Sequence, residues 1–269
     1  MPNELNTPND TPLLRSLQLQ RRVVFALLMR EILTRYGRHN VGFLWLFLEP
    51  MMFTVGVTLL WSYTKSAHGV DLPITVFALT GYSCVLLWRN MPGRTVGSVQ
   101  PNLSLMFHRN VRILDIMLAR VLLEAAGVTM SFVLLGMVFI GFEWMDMPED
   151  VLTVAGGWLM LVWFGMALGL LMGALSERSE LIDKFWHPFT YMLFPLSGAI
   201  FLVEALPPQA QEFILWLPMV HCVEMVRDGY FGSHFNAIYD MGYVAAFNMG
   251  LTVMALSQLR FISRTVVPG

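Results

Sequence analysis

The sequence predicts an all-α integral membrane protein, and three observations support this fold class. Hydrophobic residues make up 56% of the 269 positions and charged residues only 13%, whereas soluble domains average about 25% charged residues. Six apolar runs are long enough to cross a bilayer as helices, which takes about 20 residues each. The basic residues are concentrated on one side of these runs, which is the asymmetry that the positive-inside rule describes.

Six transmembrane helices are predicted, at about residues 42–63, 73–91, 116–142, 151–175, 185–203 and 238–259. They belong to one membrane domain, residues 15–264, which follows a flexible cytoplasmic tail of residues 1–14. A further apolar piece, residues 206–231, is interrupted by Pro207, Pro208 and Pro218. The stretch between these prolines is too short to cross a bilayer at about 1.5 Å per residue. We therefore predict a re-entrant hairpin on the periplasmic side, between spans five and six.

Arginine sets the predicted orientation of the protein. Fifteen of the 17 lysines and arginines lie before span one, in the connection between spans two and three and the span ends that flank it, between spans four and five, or after span six. Both termini are therefore predicted to be cytoplasmic, with Lys65 and Arg227 on the opposite side. Residues 16–38 are predicted to form an amphipathic helix that lies flat at the cytoplasmic interface. A solvated basic arm is the alternative for this segment.

The sequence lacks the motifs of common catalytic sites. It contains no phosphate-binding GxxxxGK[ST] loop, no HExxH pair or Cys/His cluster at metal spacing, and no GxSxG motif. The two cysteines, Cys84 and Cys222, lie in or beside apolar sequence and are predicted to be buried hydrophobic residues. We therefore expect a chain that is not an enzyme, holds no metal and takes any energy from another chain.

A carboxylate and a proline lie inside the first predicted span. Helical spacing places Trp45, Glu49, Met52 and Gly56 on one stripe. A carboxylate in the middle of a bilayer costs about 2.5–3.5 kcal/mol, so Glu49 is predicted to face protein or water. Two roles stay open for Glu49: an ion pair with an arginine such as Arg89 or Arg120, or a place beside a polar path.

A second group of charged residues marks the cytoplasmic end of span two. Arg89 follows Trp88 at the end of an apolar run. Its guanidinium either extends to the membrane surface or binds an anionic group that enters there. With Arg38 and Arg94 it would form a basic entrance suited to a phosphate or an acidic sugar.

Two more segments suggest contacts between helices or between chains. Residues 101–112 place the apolar side chains of Leu103, Leu105, Met106 and Phe107 beside basic residues in a cytoplasmic connection. This pattern indicates a docking site for a soluble partner, and an ordinary interfacial helix is the alternative. On span four, Gly165, Gly169 and Gly173 form a GxxxGxxxG face that favours close helix packing.

Three stretches carry a resemblance to a known family. They are RYGRHNVGFLWLFLEP (residues 35–50), LSLMFHRNVRILDIMLARVLLE (residues 103–124) and FPLSGAIFLVEALPPQAQEFILWLPMVHCVEMVRDGYFG (residues 194–232). In this order they resemble the membrane subunit of a type-two ABC exporter. More narrowly, they are similar to the permeases of capsular polysaccharide export, the KpsM-like group. The HRNV tetrapeptide favours capsule export over drug or antibiotic export.

The resemblance implies a homodimer that works with two copies of a separate cytoplasmic ABC ATPase. That partner would bind the ATP and Mg, so this chain needs no cofactor of its own. The implied substrate is a lipid-linked anionic polysaccharide that leaves the bacterial inner membrane. Membrane lipids and periplasmic and outer-membrane export proteins are further implied partners, and no nucleic acid is expected.

The resemblance also assigns roles by position. Residues 101–112 correspond to the coupling helix, residues 16–38 to the interface helix, and residues 206–232 to a periplasmic hairpin that closes the conduit. The predicted coupling residues are Leu103, Leu105, Phe107, His108, Arg109 and Arg112, and the predicted periplasmic gate consists of Pro207, Pro208, Trp216 and Pro218. The predicted substrate entrance consists of Arg38, His39, Trp45, Glu49, Trp88, Arg89 and Arg94.

Other functions fit the sequence less well. A permease for O-antigen or a teichoic-acid-type glycan is the nearest alternative. A secondary transporter would require broken helices at matching positions in two repeats, and the proline-broken segment occurs only near the C-terminus. A membrane glycosyltransferase would require clustered acidic residues or histidines, and these are dispersed.

Overall fold

The computed structural model describes residues 12–36, 40–64, 73–108, 111–232 and 236–265. Within these ranges the chain is helical without strands, which confirms the predicted all-α class. The helices are α1 Pro12–Tyr36, α2 Asn40–Thr64, α3 Ile74–Thr95, α4 Leu103–His108, α5 Ile113–Gly141, α6 Val151–Ser176, α7 Glu180–Leu193, α8 Pro208–Ile214, α9 Pro218–Phe231 and α10 Met241–Thr265.

Helices α3 and α6 form the centre of the bundle. α3 packs against α2, α5, α6 and α9, and α6 also packs against α5, α9 and α10. The main hydrophobic core lies between α3, α5, α6 and α9. α5 and α6 are both long enough and apolar enough to cross a bilayer, and α2 contains a shorter apolar stretch at residues 47–60. Large hydrophobic side chains cover the outer surfaces of these helices.

The glycine face of α6 allows this close packing. A Cβ atom at Gly169 would lie 2.9 Å from Val121 Cγ1 of α5, and one at Gly173 would lie 2.8 Å from Thr95 Cβ of α3. The Thr95 hydroxyl donates a hydrogen bond of 2.6 Å to the carbonyl oxygen of Gly169. At Gly165, a Cβ would lie 2.9 Å from Met91 Sδ. The three glycines thus bring the backbone of α6 against α3 and α5.

The fifth predicted span is not one continuous helix. α7 ends at Leu193, and a 3-10 turn at Phe194–Leu196 and an irregular segment follow it. Pro195 lacks the N–H group that a continuing helix would use, and Gly198 has a φ of +80°, which favours glycine. At about 1.5 Å per residue, the 14 residues of α7 are too short to cross the hydrocarbon core alone. The prediction of a regular helix through residue 203 is wrong.

The segment predicted to be a hairpin forms two helices, α8 and α9. Pro208 and Pro218 each occupy the first position of a helix, where the missing proline N–H costs nothing. Pro207 precedes α8 as its N-cap. Trp216, in the turn, is 77% exposed, and its carbonyl oxygen accepts a hydrogen bond of 2.7 Å from the Tyr243 hydroxyl of α10. α9 is almost entirely buried, and it packs against α6.

Arg227 of α9 holds the irregular segment after α7 in place. Its guanidinium donates hydrogen bonds to the carbonyl oxygens of Gly198 at 2.7 Å, Ala199 at 2.7 Å and Phe201 at 2.8 Å. It also lies 4.0 Å from the centre of the Phe77 ring. The side chain is fully buried. Because irregular backbone leaves carbonyl groups unpaired, this buried arginine substitutes for the hydrogen bonds of a helix.

Candidate functional site

A polar cavity of about 200 Å³ lies between α2, α3 and α5. Its lining combines charged residues with apolar ones: Glu49, Pro50, Phe53, Leu86, Arg89, Asn90, Arg94, Glu124, Gly127 and Val128. The cavity thus brings together three of the residues that we predicted for a substrate entrance, Glu49, Arg89 and Arg94. It is the candidate functional site, because convergent polar groups in a concave space between apolar helices are typical of ligand sites.

The cavity lies near the arginine-rich end of the helices. Arg94 is in the last turn of α3, and Glu124 is in the fourth turn of α5. Pro50 and Phe53 supply the side of the cavity that α2 contributes. The Thr54 hydroxyl donates 3.0 Å to the Pro50 carbonyl oxygen one turn earlier in α2, a bond that satisfies the buried hydroxyl within its own helix.

One carboxylate oxygen organises the charges at this end of the cavity. Glu124 Oε1 lies 3.0 Å from Arg94 Nε and 2.5 Å from Arg35 Nη1 of α1. The Glu124 side chain is only 7% exposed, whereas Arg94 is 40% exposed. Arg94 can therefore present the rest of its guanidinium to the cavity while Glu124 holds its Nε.

Arg89 has a different environment from Arg94. Its guanidinium carbon lies 5.3 Å from the centre of the Tyr191 ring of α7. No carboxylate in the described part of the chain lies within 4.0 Å of it. A guanidinium that is oriented by an aromatic ring and has no carboxylate partner there is suited to bind an anionic ligand.

The ion pair predicted for Glu49 does not form with either arginine that we named. Arg89 stacks on Tyr191, and Arg120 instead lies 3.3 Å from Glu31 Oε1. Glu49 is part of the cavity lining. Glu49 therefore lies beside a polar cavity, and its functional role stays a prediction.

Neutralising Glu49 should therefore alter ligand binding more than stability. We expect Glu49→Gln to leave the melting temperature unchanged and to lower the dissociation constant of an anionic ligand by about three- to ten-fold. The reason is that the Glu49 carboxylate near Arg89 and Arg94 repels an anionic ligand, and this factor corresponds to about 1 kcal/mol, less than the roughly 4 kcal/mol of two unit charges 4 Å apart at an effective dielectric constant near 20.

Thermal unfolding and a titration with the anionic ligand measure the two effects of Glu49→Gln separately. Glu212→Gln removes an exposed carboxylate on α8 and serves as the matched control. A large loss of stability with an unchanged titration would show that Glu49 has a structural role.

The other predicted entrance residues lie apart from the cavity or beyond the described ranges. Trp88 is fully buried in the main core, so its ring does not reach the cavity. Trp45 is about half exposed on the outer face of α2 and is not part of the lining. Arg38 and His39 lie outside the residues that the structure describes.

The predicted coupling segment forms the short helix α4 and packs against its own chain. Leu105 and Met106 contact a cluster of buried residues that contains Leu27 of α1. Leu103 is also partly buried, in the cluster that contains Ile113. These apolar side chains are partly buried within the chain itself, because α1 and α5 cover part of them, and their role in docking a partner stays a prediction. Arg112 is exposed at the N-cap of α5, whereas Arg109 and the side chains of Phe107 and His108 lie outside the described part.

The loop before α4 is anchored to the turn between α6 and α7. The backbone N–H of Gly97 donates 3.2 Å to Ser176 Oγ, and that of Val99 donates 3.3 Å to Glu177 Oε1. Burial raises the pKa of the Glu177 carboxyl, the Val99 bond opposes this shift, and the nearby charge of Asp183 adds to it. The loop before α4 is therefore tied to the C-terminal end of α6.

Sequence reasoning missed part of the charged cluster beside the cavity. Glu31 and Glu124 are both buried, and neither was predicted to belong to the site. A signal was available in the spacing of Arg120 and Glu124, two charged residues one turn apart in the otherwise apolar third span. Their partners on α1 could not be found from the sequence, because α1 is separated from them by about 90 residues.

The fold and the cavity define a helical membrane protein with a charged site between its helices. Residues 22–231 match the family described as ABC-2 type transporter, and the chain belongs to this family.

Several relatives are named for capsule export. The chain is 43% identical over 260 residues to the capsule polysaccharide export inner-membrane protein CtrC of Neisseria meningitidis serogroup B, a match that covers 97% of this chain and 98% of that protein. It is 40% identical over the same shares to the capsule polysaccharide export inner-membrane protein BexB of Haemophilus influenzae. The polysialic acid transport protein KpsM of Escherichia coli is 26% identical over 244 residues, covering 90% of this chain and 94% of that protein.

Proposed function

We propose that this chain is the transmembrane subunit of an ATP-driven exporter that moves lipid-linked capsular polysaccharide across the bacterial inner membrane. The near-complete similarity to capsule polysaccharide export inner-membrane proteins supports this function. The observation that carries it on the structural side is the cavity in which Arg89 and Arg94 lie between membrane helices. Two guanidinium groups near the membrane surface match the charge of an acidic glycan or of its phosphate linker.

The arrangement in the membrane follows from the same proposal. The six spans correspond to α2, α3, α5, α6, α7 with the irregular segment after it, and α10. Both termini are cytoplasmic, and α8 and α9 form the periplasmic hairpin that closes the conduit. A second copy of the chain packs on the exposed apolar face of α2, where large side chains are uncovered: Leu44, Leu48, Met52, Phe53, Leu59 and Leu60.

Energy comes from a separate ATPase, of which two copies bind at the arginine-rich end. α4 and the residues around it form the docking site, with Phe107, His108 and Arg109 as the side chains that reach the partner. Closure of the ATPase dimer on ATP then moves α4 and, through the anchored loop before it, the helices that surround the cavity. Further partners in the periplasm and outer membrane take over the polysaccharide.

Co-purification with the ATPase tests the function directly. The complex is reconstituted in liposomes, and ATP turnover is measured with and without a lipid-linked acidic polysaccharide. We expect the glycolipid to increase ATP turnover, because a ligand bound in the cavity favours the conformation in which the ATPase dimer is closed. A complex that responds equally to a neutral glycolipid or to none would contradict the proposal.

Arg89 offers a sharper prediction within this assay. We expect Arg89→Gln to raise the glycolipid concentration for half-maximal stimulation about ten-fold, which corresponds to about 1.4 kcal/mol for a lost charge-assisted hydrogen bond. Arg260→Gln removes an exposed arginine of α10 outside the cavity and should leave the titration unchanged. Equal effects of the two substitutions would mean that general surface charge, and not the cavity, attracts the ligand.

A further inference from the structure

A chain of five charged side chains connects α1 to the cavity. In order they are Arg120, Glu31, Arg35, Glu124 and Arg94. The separations between neighbouring nitrogen and oxygen atoms are 3.3 Å from Arg120 to Glu31, 3.0 Å from Glu31 to Arg35, 2.5 Å from Arg35 to Glu124 and 3.0 Å from Glu124 to Arg94. We call this set the ionic chain. It links three helices, because Arg94 belongs to α3, Glu31 and Arg35 to α1, and the other two to α5.

Arg35 occupies the middle of the ionic chain and bridges both carboxylates. Its Nε bonds to Glu31 Oε1, and its Nη1 bonds to Glu124 Oε1. Only a guanidinium has donors in the fixed fork geometry that serves two acceptors in this way. Every member except Arg94 is largely shielded from water, so the contacts are weakly screened.

The charges of the ionic chain do not balance. Three arginines face two glutamates, so the five side chains together have one positive charge in excess, and Arg94, which lines the cavity, is their most exposed member. Arg120 adds a second link, because its Nη1 donates 2.9 Å to the carbonyl oxygen of Arg94. The position of Arg94 is therefore fixed from both its backbone and its side chain.

The helix that carries Arg35 also touches the coupling segment. Arg30, just over one turn before Arg35, donates a hydrogen bond to the side-chain oxygen of Asn102. Asn102 is buried, and its amide donates 2.8 Å to the Ser98 carbonyl oxygen in the loop before α4. Leu105 of α4 also packs against the buried cluster that contains Leu27, which belongs to α1 as well. A displacement of α4 thus reaches α1 directly, and α1 reaches Arg94 through Arg35.

We propose that Arg35 is a positioning residue for substrate binding. It holds Glu124, and Glu124 in turn fixes the position of Arg94 in the cavity. Because Arg35 belongs to α1, and α1 contacts α4, a movement of α4 changes the position of Arg94. This inference rests on the proposed function. It adds that a residue outside the cavity determines affinity for the acidic glycolipid. Buried ionic groups often contribute more to a defined geometry than to stability, which fits a role in positioning.

The test uses Arg35→Lys in the complete complex with the ATPase. Lysine keeps the charge but lacks the rigid planar fork of donors with which Arg35 bonds Glu31 and Glu124. We expect the maximal stimulated ATP turnover to be retained and the glycolipid concentration for half-maximal stimulation to rise about ten-fold, an effect of the size of one lost charge-assisted hydrogen bond. Arg178→Lys, at an exposed arginine that bonds Gln258 at the same end of the bundle, is the matched control and should change neither quantity.

A double-mutant cycle with Arg94 separates positioning from a general structural role. In an Arg94→Gln background, Arg35→Lys should cause no further rise, because the group that it positions is already gone. A full ten-fold rise in that background, or a parallel loss of basal and stimulated turnover, would overturn the inference. Glu31→Gln removes the charge of the other carboxylate that Arg35 contacts. It is measured in the same cycle and should likewise cause no further rise in the Arg94→Gln background. If the wild-type complex itself shows no response to glycolipid, the proposed function fails, and not this inference alone.

Discussion

Replacing Arg227 with methionine is expected to prevent recovery of folded protein. The substitution leaves the carbonyl oxygens of Gly198, Ala199 and Phe201 without the donors that they have now. Each buried carbonyl left unpaired costs about 1–3 kcal/mol, and a folded domain has only about 5–15 kcal/mol to lose. It also removes the positive charge one turn from the buried carboxylate of Glu224, which then lacks a nearby compensating charge.

Fluorescence-detected size exclusion and thermal unfolding in detergent measure this loss. Arg227→Lys should be intermediate, because a single ammonium group cannot serve three carbonyl oxygens in fixed directions. Arg178→Met provides the control, since Arg178 is a surface arginine that stacks on Phe261. A normal melting temperature for Arg227→Met would show that the irregular segment is held by other contacts.

Replacing Gly229 with alanine is expected to destabilise the protein strongly. A Cβ atom at Gly229 would lie 2.5 Å from the backbone nitrogen of Val154 and 2.7 Å from the backbone oxygen of Asp150. These are backbone atoms of α6 and its N-cap, so no side-chain rotation can relieve the contact. The backbone N–H of Asp150 also donates 2.8 Å to the Gly229 carbonyl oxygen, and this bond breaks when the helices separate. We expect a loss of about 3 kcal/mol or more.

Gly250→Ala is the matched control for Gly229→Ala. No atom lies within 4 Å of a Cβ built at Gly250 of α10, and alanine is the better helix former by about 1 kcal/mol. This control should therefore melt at the same temperature as the wild type or slightly higher. Thermal unfolding of both variants compares them, and similar melting temperatures for the two would contradict the close contact between α9 and α6.

The candidate site illustrates what helical spacing can and cannot predict. Because Glu49 lies in an apolar predicted span, we expected its carboxylate to face protein or water. In the structure Glu49 lines the cavity. Trp88, next in sequence to Arg89, was grouped with it but points into the core. Neighbouring residues on a helix point about 100° apart, so only the direction of the partner helices decides which of them faces the site.

The buried charges were the hardest feature to predict. From the sequence, Arg227 was predicted only to lie on the side of the membrane opposite the two termini. In the structure it binds three backbone carbonyl groups inside the protein. Its role depends on the irregular segment at residues 197–203, and the sequence does not indicate which distant side chain binds the carbonyl groups of that segment. In the same way, the sequence does not show that Glu124 pairs with Arg35 of α1, because the two residues are 89 positions apart.

The sequence by itself determined the all-α class, the membrane environment and the family of this protein. It could do so because hydrophobic run length and motif order are local properties of the chain, and water and lipid act on them directly. Only the tertiary structure decided that Arg227 binds the backbone after α7, that α4 is partly covered by α1 and α5, and that Glu49, Arg89 and Arg94 share one cavity. These features arise from contacts between distant segments, whose energies depend on distance and burial that exist only in the folded chain.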